Sequence, residues 1–104
     1  MSQAECPISK LAAIIGQKWM LEIIYHLRER SRFCELQEAV YDLNPATLSK
    51  RLKALEEAGL VDRHEISSIP PHVEYELTEK GNDLMPILNA MADWVRRWHP
   101  GTAD

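Results

Sequence analysis

The chain has no apolar run approaching the roughly 18–20 residues that a membrane-crossing helix needs. Its opening, "MSQAECPISK", lacks the basic segment and apolar stretch of a secretory leader, so the cytoplasm is the expected compartment and no membrane partner is expected. Only two cysteines are present, Cys6 and Cys34, which excludes a disulfide framework and leaves both expected reduced in that compartment. The candidate metal ligands Cys6, His26, Cys34, His64, His72 and His99 show none of the close paired spacings of a zinc site, so neither metal nor cofactor is expected. A Gly-rich phosphate loop is missing, and no Ser-His-Asp or Cys-His arrangement stands out; an enzyme is not expected. Positive charge is in deficit, with 12 Lys and Arg against 16 Asp and Glu and a net charge of -4. A protein coated in nucleic acid is therefore disfavoured, although a local basic surface is not. Repeats and low-complexity segments are absent too.

What remains is one domain's worth of chain. The 104 residues and 45% apolar content fit a single domain over 1–104, with an ordered core about 6–98 and loose ends at roughly 1–5 and 99–104. Ile8, Leu11, Ala12 and Ile15 repeat at helical spacing, and Gly16 can stop that helix. Trp19, Ile23, Ile24 and Leu27 mark a second helix, closing in "RERSR"; Phe33, Leu36, Val40 and Leu43 mark a short third. Asn44-Pro45 reads as an N-cap followed by proline at the first helical position. Leu48, Leu52 and Leu55 form the stripe of a fourth helix over 45–58, and Gly59 stands where a C-terminal glycine belongs. "LVDRHEI" and "HVEYEL" then read as two short strands around "SSIPP". Thr78 can cap a last helix over about 78–98 with a stripe of Leu84, Ile87, Leu88, Met91 and Val95, inside which Pro86 predicts a kink. The fold class is mainly α with a small β-hairpin (α+β). Its order, helix-turn-helix about 33–59 and hairpin about 60–77, is that of a winged helix-turn-helix, in which the second helix of the pair enters the DNA major groove.

The fourth helix carries the functional signal. On a wheel of about 100° per residue, its leucines face one side and Ala46, Lys50 and Lys53 the other; Thr47 and Ser49 flank, and Arg51 lies nearer the leucine shoulder. From Asn44 to Leu55 there is no acid. Small residues admit the backbone close to base edges, hydroxyls bond bases or phosphates, and cations reach guanine edges or phosphates. The plainer alternative is a solvated helix face. Arg63, His64 and His72 on the hairpin are placed to touch DNA backbone or minor groove, or else are ordinary polar surface. Lys18 before Trp19 and Arg32 before Phe33 are placed to pin phosphates at the footprint's edge, with a plain surface role as the alternative.

These residues also resemble a family. Cys6-Pro7, Gly16-Gln17-Lys18-Trp19, Arg32-Phe33-Cys34-Glu35-Leu36, "TLSKRLKALEEAGLVDR" and "PPHVEYELTEKG" followed by a Trp-bearing last helix, in this order from about Cys6 to Trp98, resemble the HxlR-type transcriptional regulators. The resemblance implies a homodimer on pseudo-palindromic double-stranded DNA, joined through the first helix (Ile8, Leu11, Ile15) and the last (Leu88, Met91, Trp94, Val95, Trp98). It implies Thr47, Ser49, Lys50, Arg51 and Lys53 on the reading helix, and Arg63 to His72 on the wing. It further implies Cys6 as a thiol switch, with an oxidant or small molecule as effector. Gln17, Cys34 and the turn "YDLNPAT" depart from the family's usual residues, so no base preference is carried over.

Read on their own, the cysteines divide differently. Cys6 lies in an arm expected to be exposed, between Glu5, which opposes ionisation, and Lys10, which favours it. Cys34 is placed near a helix N-terminus, which favours thiolate, while Glu35 opposes it. Either can be inert. The last helix has more apolar surface than one face needs, because Trp94 and Trp98 extend it toward a second side. Such a surplus finds a partner or closes over the domain's own first helix. The competing class is a winged helix used for protein contact without specific DNA binding; the basic face of helix four argues against it.

Overall fold

The computed structural model describes residues 6–40 and 42–101. The expected loose ends at 1–5 and 102–104, Glu5 beside Cys6, and Tyr41 in the turn lie outside the described residues. The first helix, α1 (Pro7–Ile15), starts on a proline, where the missing N–H leaves no helical bond unmade, and ends at Gly16. Next comes α2 (Met20–His26), entered through Trp19 in the left-handed region at φ 80°. A bulky residue is rarely held there. The helix-turn-helix is α3 (Phe33–Ala39) and α4 (Pro45–Glu57).

Local chemistry sets both ends of α4. The Asn44 side chain accepts a bond from the Ala46 N–H at 2.7 Å. At the other end Gly59 takes φ +77°, its N–H donating to the Glu56 carbonyl while the Leu60 N–H donates to the Leu55 carbonyl. This paired closure needs a left-handed residue, which glycine adopts without a Cβ clash. The chain turns there into the hairpin of β2 (Val61–Ser68) and β3 (Pro71–Leu77).

Two features differ from the sequence expectation. The sheet has a third strand, β1 (Ser31–Arg32), pairing antiparallel with β3 through Ser31↔Tyr75 and Arg32↔Glu74. Two residues carry no alternation to read; they become a strand only because β3 offers a free edge. The last helix, expected over about 78–98 with a kink at Pro86, is instead two helices, α5 (Glu79–Asn82) and α6 (Met85–Trp98). Thr78 caps α5, accepting from the Gly81 N–H at 3.1 Å. Pro86 falls in the first turn of α6, where it removes no intrahelical bond, so the chain restarts there and does not bend.

The core lies between α2, α3, α4 and the sheet. Ile23, Ile24, Leu36, Leu48, Leu52 and Leu55 are closed off from solvent, joined by Leu60, Val61, Tyr75, Leu77 and Leu88. Leu52→Ala is expected to destabilise the domain by about 2–5 kcal/mol, since it removes transfer free energy and leaves a cavity. Urea unfolding should show a lower midpoint at unchanged slope; an unmoved midpoint would remove Leu52 from the core.

Candidate nucleic-acid interface

Burial sorts α4 into two faces. Leu48, Leu52 and Leu55 anchor it in the core, while Ala46, Ser49, Lys50 and Lys53 are exposed and Thr47 and Arg51 are half-buried. Among the described residues Lys50 and Lys53 have no carboxylate partner, so their charge is available to an anion. The first acids of the helix, Glu56 and Glu57, come at its C-terminal end. The exposed face therefore opens with small side chains and continues into cations.

Arg51 stands apart from the other cations. Its Nε donates to the Lys18 carbonyl at 2.9 Å, tying α4 to the turn between α1 and α2. Part of its hydrogen-bonding capacity thus goes to holding α4 in place. Lys18 itself is exposed, with Nζ 4.8 Å from the centre of the Trp19 ring. In sequence Lys18 and Arg51 are two separate cations, and their 33-residue separation hides the link.

On the wing, acids stand beside two of the three basic residues singled out in the sequence. Arg63 is exposed and free of ion pairs among the described residues. His72 Nε2 lies 2.9 Å from Glu74 Oε2, and His64 Nε2 lies 2.7 Å from Glu76 Oε1. Arg30, at the end of the α2–β1 connection, pairs with both of these glutamates. The Arg30 guanidinium holds the Glu74 carboxyl below the usual carboxylate range against the opposing cost of burial, and His72 adds a lesser lowering. Both histidines thus face an acid, which the alternation of β3 places on the sheet face away from the core. Arg32 is exposed beside the wing base, where with Phe33, Cys34, Pro71 and Val73 it lines an open depression. Nothing in the linear spacing of α3 and β3 signals that depression; the β1–β3 pairing creates it.

Cys6 is the N-cap of α1. The backbone N–H of Ser9, then its hydroxyl, then the N–H of Ile8 lower the thiol pKa below its ordinary value, outweighing an opposing effect of burial. The cause is the set of unsatisfied donors at a helix start, which favours a thiolate. Cys34 is exposed at the second position of α3.

A second surface is apolar. In α1 no residue is fully buried, and Ile8 is 71% exposed; Leu11 and Ile15 are half-buried. On α6, Met91 is 46%, Trp94 58% and Trp98 62% exposed, with Val95 half-buried. The tryptophans therefore do not close over the domain's own first helix. Leu88, expected at a subunit interface, is instead buried in the domain's own core, because it is the α6 residue that faces inward.

Known proteins share this fold. The family model for HxlR-like helix-turn-helix proteins matches residues 14–103. An HTH-type transcriptional regulator of Halalkalibacterium halodurans is 42% identical over 92 residues, covering 86% of this chain and 81% of that one. A crystal structure of a transcriptional regulator of the MarR family from Porphyromonas gingivalis superimposes with a TM-score of 0.85 at 35% identity, covering 90% of this chain and 93% of that one. The redox regulator HypR in its reduced form gives a TM-score of 0.83 at 33% identity over 88% of this chain and 92% of its own. The chain belongs to the HxlR-like helix-turn-helix family, whose members are DNA-binding transcriptional regulators and not enzymes.

Proposed function

We propose that this regulator acts as a homodimer on a pseudo-palindromic operator, reading each half-site with α4 and steadying the complex with the wing, and that it represses by occupying the site. The carrying observation is the exposed, acid-free half of α4, with Lys50 and Lys53 unpaired beside Ala46 and Ser49. The apolar face of α1 and α6 supports a two-fold partner, since a small domain rarely leaves two tryptophans in water. A two-fold axis would set the reading helices one DNA turn apart, roughly 34 Å. The deciding experiment is fluorescence anisotropy of the reduced protein with DNA from upstream of its own gene, against a scrambled duplex, at two salt concentrations. Tight, salt-sensitive binding to the native duplex supports the reading. Absence of binding to either duplex at low salt would favour a protein-contact module.

We further propose Cys6 as the redox or electrophile switch, with Cys34 the weaker candidate. The helix-start donors around the Cys6 thiol and the likeness to a redox regulator support this. A lowered pKa means more thiolate at pH 7, so Cys6 should alkylate faster there than a cysteine in a short peptide. The midpoint of its rate–pH profile should lie below that of an ordinary thiol. Ser9→Ala removes one donor and should move that profile back toward higher pH. A profile identical in both variants, followed by iodoacetamide labelling and mass spectrometry, would leave Cys6 an unremarkable thiol.

A further inference from the structure

The tip of the β2–β3 hairpin is apolar and uncharged. Ile69 is 90% exposed, Ile66 is 52% exposed, and Pro70 and Pro71 are exposed beside them. From Ile66 to Pro71 the chain carries no charged residue, and the two prolines carry no backbone N–H. Ile66 is set out of the ladder by the bulge between Glu65 and Ser67, which turns it away from regular pairing. The strands behind the tip are acidic, with Asp62, Glu65, Glu74 and Glu76 against Arg63. Attraction to phosphate therefore falls mainly on α4; the tip segment carries no cation of its own, and Arg32 shares a depression with Pro71 on one side of it.

Isoleucine and proline are the side-chain types that act as wedges between base pairs in the minor groove. The hairpin has the reach for this role. The 7 residues of β3 extend about 20 Å at about 3.3 Å each, more than the roughly 12 Å width of the major groove. It also starts in the right place, leaving the C-terminal end of α4 through the Gly59 turn. A second copy of the chain already has a larger apolar surface on α1 and α6.

We infer that Ile69, backed by Ile66 and Pro70, is a specificity-determining residue that wedges into the minor groove flanking the sequence read by α4. It selects duplex DNA by the ease of unstacking one base step, not by hydrogen bonds. This inference rests on the proposed DNA-binding role. Flexible pyrimidine–purine steps would then be favoured at the wing positions, and stiff A-tracts disfavoured.

The test begins with duplexes enriched from a random pool by the wild-type protein. Ile69→Ala and Lys50→Glu are then compared on the enriched duplex by anisotropy across a salt series, with permanganate probing of flanking thymines. Ile69 is too exposed to support the fold, and an unchanged melting temperature checks this. Ile69→Ala is expected to bind about 10-fold more weakly with an unchanged salt slope, because it removes no phosphate contact. Permanganate reactivity at the flanking step should vanish with it. Replacing that step by an A-tract should weaken the wild type and leave Ile69→Ala indifferent. If Ile69→Ala keeps full affinity and flank preference while Lys50→Glu loses binding, the wedge is overturned and the DNA-binding role stands. No enrichment by the wild type overturns both. A shift in the monomer–dimer balance of Ile69→Ala without DNA also overturns the wedge, since a second copy would then cover the tip.

Discussion

Lys50→Glu is expected to weaken operator binding at least about 30-fold while leaving the melting temperature unchanged. A contact from a reading helix to a base edge is worth about 1–3 kcal/mol, and a dimer makes it twice. The substitution also places an acid against phosphates, so this figure is a lower bound. Stability should not move, because Lys50 is exposed and has no ion-pair partner among the described residues. The salt slope should fall as well, since one cation per subunit no longer displaces counterions. Anisotropy titrations over a salt series, paired with thermal melts, read both quantities. Full specific affinity in the variant would mean that the reading face lies elsewhere on the molecule.

The second large effect is expected at the opposite surface. Trp94→Asp puts a charge into the centre of the exposed apolar face of α6. A buried, unpaired carboxylate is costly, so the variant should separate into monomers by sedimentation equilibrium. Binding to a two-half-site duplex should drop by about 10²–10⁴-fold, the gain that linking two sites usually provides. Affinity for a single half-site should change little, because α4 is untouched. The domain core, centred on Ile23, Ile24, Leu48 and Leu55, does not include Trp94, so helical circular dichroism should persist. A variant that remains dimeric would show that α6 is not the subunit interface.

The two substitutions separate the ingredients of the proposed mechanism. One removes charge at the DNA surface with the assembly intact; the other removes the assembly with the DNA surface intact. Arg51 lies between them, because its bond to the Lys18 carbonyl joins α4 to the turn that follows α1.

Much of the protein was legible from sequence because local chemistry fixed it. The leucine stripe of α4, its Asn44 cap, its Gly59 exit and the polarity of its outer face are set by residues within one or two turns of each other. The exposure of Ala46, Ser49, Lys50 and Lys53 follows from the burial of Leu48, Leu52 and Leu55 by helical period alone. The family was legible for the same reason: its motifs are short runs in a fixed order.

What sequence could not decide depends on elements distant along the chain. Ser31 and Arg32 form a strand only because β3 lies beside them, and Arg51 is a tether only because the α1–α2 turn passes within hydrogen-bond reach. His72 looked available to DNA until the pleat of β3 set it beside Glu74, two residues on along the same face. Leu88 lies on the main apolar stripe of the last helix and Trp94 extends it toward a second side, but α6 packs against the core along one line only. That line takes Leu88 inside and leaves Trp94 in water. Sequence by itself determined the first four helices, the caps of α4 and its basic outer face, because period and capping are properties of neighbouring residues. Tertiary structure alone decided which polar groups pair and which apolar groups stay exposed, because those outcomes depend on distances between segments that the chain order does not contain.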